Sequence, residues 1–359
     1  MQELAAKLTI LRTTLESAGL AAIRLRGVDW FAWATAGGSS AVLTTSERGV
    51  AEVLVTADEA LVVCDAIEAD RIAAEELPPG LRLWSYPWAA PSLREAFIAG
   101  HTAAGAVASD RPEPGERPLP PALTAARWSL HPAEVERYRE LGRDAAAAMT
   151  AVLHAASPTW TGHQLAGASA GALWTRGITP ALVLVGDARR LPLHRHPTPS
   201  RDALGDRAML VFCARRHGLY ANLTRIVYFR PPTPAERDVL DAVAEVEADA
   251  LDACRPGTAL AGIFAVMVAS YARTGHPGAE AFHHQGGPCG YLAREAIATP
   301  DLAAPLAPNG AVAWNPSLPG AKIEDTIVVG DSGLEILTVD PAWPMRQVRG
   351  RARPDVLVR

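Results

Sequence analysis

The stretch Gly218-Leu219-Tyr220-Ala221-Asn222-Leu223-Thr224-Arg225, reached through the turn Gly205-Asp206, decides how this chain folds. It lies between two apolar runs that read as strands, Ala208–Ala214 and Ile226–Tyr228, with a third, Ala181–Val185, ahead of them. A helix is predicted from Thr233 to Ala253, and Pro256-Gly257 separates it from another over Leu260–Arg273. Upstream, helical patterns cover Pro132–His154 and Gly162 to about Trp174; downstream, strands are expected at Ala311–Trp314, Thr326–Val329 and Leu334–Leu337. Strands and helices therefore mix through most of the chain, an α/β (α+β) pattern.

The first part reads as a smaller α/β unit of its own. Leu4, Leu8, Leu11, Leu15 and Ala18 recur at helical spacing, and the pattern ends near Gly19. Apolar runs at Ala21–Leu25, Ser40–Leu43, Ala51–Val55 and Ala60–Cys64 read as strands, divided by turns such as Ser46-Glu47-Arg48-Gly49. A helix opening at Ile67-Glu68-Ala69-Asp70-Arg71 runs to about Leu77 and is stopped by Pro78-Pro79-Gly80. The five prolines of Asp110–Pro121 argue against a regular element and mark that segment as a linker. The expected domains are 1–122 and 123–359.

Composition narrows the classes of function. The chain has 359 residues, 49% of them apolar and 20% charged, an ordinary globular make-up with room for two domains. Its formal charge of −5 is spread along the sequence, without the basic stripe that phosphate binding needs, so nucleic acid is not an expected partner. No stretch approaches the ~18–20 apolar residues of a membrane span, and the opening MQELAAKLTILRTTLE is helical and charged, not an apolar signal region. Cys64, Cys213, Cys254 and Cys289 fit neither a disulfide framework nor a zinc spacing, which points to a reducing cytoplasm.

Several of these segments carry a family likeness. Ala66-Ile67-Glu68-Ala69-Asp70-Arg71 after a strand resembles the amino-terminal domain of creatinases and proline-specific peptidases. Gly205-Asp206 followed by Gly218–Arg225 resembles their "GD…D…GY…D-x-T-R" pattern. Arg255-Pro256-Gly257, a helix and Gly275-His276 look like the approach to their histidine strand. Pro308–Pro316 with Ile323-Glu324-Asp325-Thr326 resembles their "P-G-M…E-P…E-D-T" ending. In this order the set resembles the creatinase, aminopeptidase P and prolidase superfamily, peptidase family M24. The resemblance implies a small creatinase-like α/β domain followed by a "pita-bread" domain built around a central pocket, and a homodimer.

Active peptidases of that family hold two divalent ions with two Asp, one His and two Glu. Carried over residue by residue, the first Asp falls at Val211, the second at Asn222, the His at His284 and the first Glu at Asn315; the last Glu is kept as Glu324. Oxygen-rich anionic ligands are what offset two adjacent dications, and three of the four carboxylates are missing. No metal and no other cofactor is expected. Creatinase is the precedent for metal-free work on this fold, with a pocket histidine moving protons on a small guanidino substrate. Thr224 and Asn315 stand where creatinase has glutamates, so the likeness does not extend to creatine hydrolysis.

The replacements keep polarity while losing charge, which favours a working pocket. The candidate catalytic residues are His284, Glu324 and a loop histidine. Counting back eleven residues from Gly205 gives His194, whereas the local match to Pro197–Ser200 gives His196, and both stay open. Asn222, Arg225, Asn315, Tyr220, His283 and Tyr291 are the candidate substrate-binding residues. Arg225 could clamp a carboxylate bidentately or pair internally with Glu324 or Asp325. Two neutral asparagines should leave His284 near its unperturbed pKa of ~6.5. Cys213 and Cys289 are expected as buried small hydrophobes. The glycine-rich Gly286–Gly290 segment reads as a tight strand turn that brings backbone near the pocket.

The leading functional reading is a metal-independent creatinase-like hydrolase or lyase acting on a small amino-acid-like or amide/amidine substrate, with histidine as general acid/base. The alternatives are an inactive homologue binding a small molecule, peptide or protein, and an Xaa-Pro metallopeptidase with a rearranged site.

Overall fold

The computed structural model describes residues 2–102 and 105–359. The chain divides into two compact units, Met1–Ala133 and Glu134–Arg359.

In the first unit, α1 (Gln2–Ala18) buries Leu4, Leu11 and Leu15. Each such leucine contributes about 1.5–3 kcal/mol by leaving water. The strands β1 (Ala22–Gly27), β2 (Arg48–Val55), β3 (Ala60–Asp65), β4 (Arg82–Tyr86), β5 (Val107–Ser109) and β6 (Arg117–Pro118) form one sheet in the order β4-β3-β2-β1-β5-β6. Between them run α2 (Val28–Ala34), the short α3 (Ala69–Arg71) with its π-helical continuation to Glu76, α4 (Pro91–Thr102) and, last, α5 (Pro121–Arg127).

Two expectations fail here. Ser40–Leu43 is not a strand: Val42 and Leu43 are exposed, and β2 begins at Arg48, paired with Gly27 of β1. Nor is Asp110–Pro121 a linker, for it carries β6 and belongs to the first unit. The reason is charge. The interior strand β1 places Arg24 and Arg26 in the interior, and neither can stay there unpaired. Arg24 is gripped by Glu52 at 2.9 Å and Glu116 at 3.1 Å, while Arg26 donates to Glu116 at 2.6 Å and to Ser109 Oγ at 2.8 Å. The proline-rich segment delivers the carboxylate that this strand requires.

The second unit begins inside α6 (Pro132–Ala155), followed by α7 (Gly162–Trp174), β7 (Thr179–Asp187), β8 (Arg207–Arg216) and β9 (Leu219–Tyr228). Helices α8 (Pro234–Ala253) and α9 (Leu260–Arg273) lead to β10 (Gly286–Cys289), β11 (Gly310–Trp314), the short pair β12 (Ser317–Leu318) and β13 (Ala321–Lys322), and β14 (Asp325–Gly330). The chain closes with β15 (Gly333–Ile336), β16 (Met345–Val348), β17 (Arg351–Pro354) and β18 (Leu357–Val358). Both α7 and α8 start on capping boxes, Thr161/Gln164 and Thr233/Glu236.

Two four-stranded sheets result, β18-β9-β8-β7 and β10-β11-β14-β15. They meet where β9 runs beside the start of β14. Thr224 N donates to the Glu324 carbonyl at 3.0 Å, and Asn222 N donates to Thr326 Oγ1 at 2.7 Å. Strand β9 is longer than the apolar run predicted because its polar residues are paired across this seam rather than with water.

Candidate functional site

The seam between the sheets floors a cavity of about 430 Å³. In the antiparallel register, Leu184, Val211 and Thr224 form one row across β7, β8 and β9, and Leu182, Cys213 and Asn222 form the next. Residues directly opposite share a face of the sheet. Leu182, Leu184, Val211 and Cys213 therefore present an apolar wall to the cavity. Burial pushes the Cys213 thiol up to about 12, so it stays protonated and serves as part of that wall.

The opposite side is polar and contributes Glu324, Arg294, Lys322, Asn315, His284 and His196. Glu324 is buried and fully engaged. Arg294 Nη2 donates to its Oε1 at 2.5 Å, Thr224 Oγ1 donates to its Oε2 at 2.8 Å, and Lys322 Nζ lies 3.2 Å from Oε2. Burial alone would raise the carboxyl pKa, but Lys322, Arg294 and these hydrogen bonds outweigh it and hold the group down at about 2. Neither cation was anticipated from sequence. Lys322 had a signal, since it stands two positions before Glu324; Arg294 had none, because its loop matches no local motif.

The histidines converge as well. His283 Nε2 is 3.1 Å from His196 Nε2, and His283 Nδ1 is 3.1 Å from Ser317 Oγ. The His284 ring centroid lies 4.7 Å from that of His283 and 5.7 Å from that of His196. Burial, followed by Lys322 and the neighbouring imidazoles, pushes His283 down to about 2. Burial, then Arg294 and Lys322, pushes His284 down to about 4. His284 is therefore displaced from the ordinary value expected for it, chiefly by burial and then by the two cations. Desolvation, then Lys322, lowers His196 as well.

Gly286 lets β10 lie close against β11 just after the two histidines. Its φ is +99°, and a Cβ there would meet the Ala313 carbonyl oxygen at 2.1 Å. The segment expected as a tight turn is accordingly a strand, β10, pressed against β11 at a separation that only glycine permits.

Of the residues picked from sequence, Tyr220, His196, His284, Asn315 and Glu324 line this cavity; His194, Asn222, Arg225, His283 and Tyr291 do not. His194 lines a neighbouring cleft of about 960 Å³ that it shares with His196. Arg225 is no free clamp: it donates to Asp325 at 2.7 Å and to the Thr338 carbonyl at 2.7 Å. Asp325 is also held by Arg353 at 2.7 Å, which in turn pairs with Glu247. Tyr291 donates to buried Glu134 at 2.5 Å. Asn222, in the row of Leu182 and Cys213, is fully buried and donates to the Ala293 carbonyl at 3.3 Å. Cys289 is buried beside Tyr138.

These side chains do not fit a pair of divalent ions. Val211 offers no ligand atom, Asn222 and Asn315 bring no charge, and the one retained carboxylate is already neutralised by two cations. Among the described residues, the cluster with ligating atoms close enough to share an ion is His196, His283 and His284, all within 4.8 Å of one another. Two of its nitrogens already face each other, and Lys322 and Arg294 oppose added positive charge.

Comparison with known proteins agrees with this architecture. The chain is similar in structure to the Xaa-Pro dipeptidase from Bacillus anthracis, with a TM-score of 0.80 over 99% of each chain at 17% identity. It is similar to dipeptidase PepE from Mycobacterium ulcerans, with a TM-score of 0.78 at 20% identity, covering 99% of this chain and 98% of that one. It also resembles the N-terminal domain of the FACT complex subunit SPT16 from Cicer arietinum, with a TM-score of 0.73 at 11% identity, covering 94% and 96%. No curated protein matches the chain by sequence. Among the described residues no helix is long and apolar enough to cross a membrane. The family model described as metallopeptidase family M24 matches residues 136–331, and with the two-unit, mixed α/β fold this places the chain in that family, as a member with pita-bread architecture.

Proposed function

We propose that the cavity is a metal-independent acid/base site that acts on a small amino-acid-like or amide/amidine substrate, in the manner of creatinase rather than of the metallopeptidases. The observation that carries this reading is the ion cluster: Arg294 and Lys322 sit on Glu324, so protein cations supply the positive charge that metals supply elsewhere in the family. His284 Nδ1 is buried and has no partner within the protein, which makes it the atom available to take a proton. In a hydrolysis, His284 accepts the proton of an attacking water, hydroxide adds to the carbonyl or amidine carbon, and the proton passes to the departing nitrogen. A bound anion beside Arg294 and Lys322 would offset the part of the His284 depression that those cations add to burial, and so raise its basicity.

The test joins composition to activity. Elemental analysis should find less than one transition ion per chain, and Xaa-Pro dipeptides should not be cleaved with or without manganese, cobalt or zinc. Two ions per chain, or one zinc lost on replacing His196, His283 or His284, would overturn metal independence. Replacing His284 with Ala should abolish turnover of a verified substrate while leaving the fold intact.

A second reading is a binding module without turnover. The fold also serves as a domain of a FACT complex subunit, and an unpartnered buried Asn315 Oδ1 suits a bound ligand as well as a substrate. Mass spectrometry of a co-purified ligand, followed by an assay for its conversion, separates the two. The proposed setting is the cytoplasm, where four unpaired cysteines remain thiols, and the proposed assembly is a homodimer, which analytical ultracentrifugation checks.

A further inference from the structure

The cavity holds two cations against one carboxylate, both cations shielded from solvent: Lys322 is 7% exposed, and the Arg294 side chain 14%. An uncompensated charge withheld from water is costly, so a surplus of this kind is normally matched by a counter-anion. None of the other cavity-lining side chains is acidic. Moreover, Arg294 Nε is a buried donor without a partner, its Nη1 and Nη2 being taken by the Ala293 carbonyl and Glu324. Lys322 carries three donors and has one carboxylate beside it. Across from these groups stands the apolar wall of Leu182, Leu184 and Val211, and Asn315 Oδ1, also buried and unpartnered, is an acceptor awaiting an N–H or O–H.

We infer that Arg294 and Lys322 are a carboxylate seat, and that the ligand of this site is a small N-acylated amino acid with an aliphatic side chain. Its carboxylate lies against the two cations, its amide N–H donates to Asn315 Oδ1, and its side chain packs on Leu182, Leu184 and Val211. Three independent features of the cavity, surplus charge, an orphan acceptor and an apolar wall, are each met by one part of such a molecule. A dicarboxylate would leave its second charge on the apolar wall, and a cationic ligand would face two like charges. The inference rests on the metal-free reading of the cavity and narrows its substrate class.

The test compares isosteres on the wild-type protein by calorimetry: N-acetyl-L-leucine, N-acetyl-L-leucinamide and 4-methylpentanoate. The acid should bind at least about tenfold tighter than its amide, since a charge-assisted hydrogen bond is lost with the carboxylate. It should also bind tighter than 4-methylpentanoate, which cannot donate to Asn315. Lys322→Met and Arg294→Gln, checked for a folded melt, should each erase the preference for acid over amide, and Arg294→Lys should keep part of it. Equal binding of acid and amide, no binding of any acid at millimolar concentration, or a preference that survives both neutral variants overturns the seat. Binding without turnover would instead sink the enzymatic reading and keep the seat, whereas turnover of a neutral or cationic substrate would do the reverse.

Discussion

The side-chain amide of Asn222 donates to the carbonyl of Ala293 at 3.3 Å, and so holds the loop whose next residue, Arg294, reaches Glu324. The position to which the family resemblance assigns a metal-binding aspartate is here an asparagine that holds the loop carrying Arg294. Asn222→Ala should therefore cost roughly 0.5–1.5 kcal/mol in urea unfolding from the lost hydrogen bond, because the Ala293 carbonyl loses one of its two donors and keeps Arg294 Nη1. Asn222→Asp should not create metal-dependent cleavage of Xaa-Pro dipeptides, since positions 211 and 315 remain uncharged. Manganese-stimulated hydrolysis by that single variant would show that more of the metal site survives than the geometry allows.

Glu324→Gln removes the anion shared by Arg294 and Lys322 while keeping the side-chain volume. Breaking a buried ion pair from one side costs about 3–5 kcal/mol, because the partner charge is left uncompensated. Equilibrium denaturation should show a loss in this range, and Lys322→Met combined with Glu324→Gln should recover part of it. A neutral effect of Glu324→Gln alone would mean that water reaches the cluster freely.

Acid should destabilise the second unit in two stages. His283 has a folded pKa of about 2 against an ordinary 6.5, so below pH ~6.5 the unfolded chain takes up the proton first and stability falls with pH. The slope for this one group approaches about 1.4 kcal/mol per pH unit. Glu324, depressed from 4.5 to about 2, adds its own loss only below pH ~4.5, where the unfolded carboxylate protonates. Urea midpoints at pH 7.5, 6.5, 5.5, 4.5 and 3.5 read both stages, and His283→Asn should reduce the slope of the first, to which His284 also contributes. A stability that holds constant from pH 7.5 to 5 would contradict the burial of neutral His283.

In the first unit, Glu116→Ala should unfold that unit more readily by about 3 kcal/mol, since Arg24 and Arg26 both lose a buried partner. An exposed linker residue would give a change near zero, so one thermal melt distinguishes the two descriptions of the proline-rich segment.

Much of this was legible in the residues in order. The family likeness rests on local motifs separated by tolerant loops, and the empty ligand positions Val211, Asn222 and Asn315 were visible because each stands inside such a motif. The helices also followed from spacing: α8 and α9 coincide with the predicted segments to within a residue. What the residues did not show is which charges would meet. Arg294 and Glu324 are 30 positions apart, and Arg225 and Asp325 are 100 apart, so their pairing depends on how two sheets come together along β9 and β14. The same holds for Glu116 and Arg26, separated by 90 positions, and for the choice of His196 over His194 as the histidine that lines the cavity. Spacing specifies which face of a strand or helix a side chain occupies. Where that face is buried, the partner of a charge is chosen by desolvation, which acts only after distant segments have been packed together.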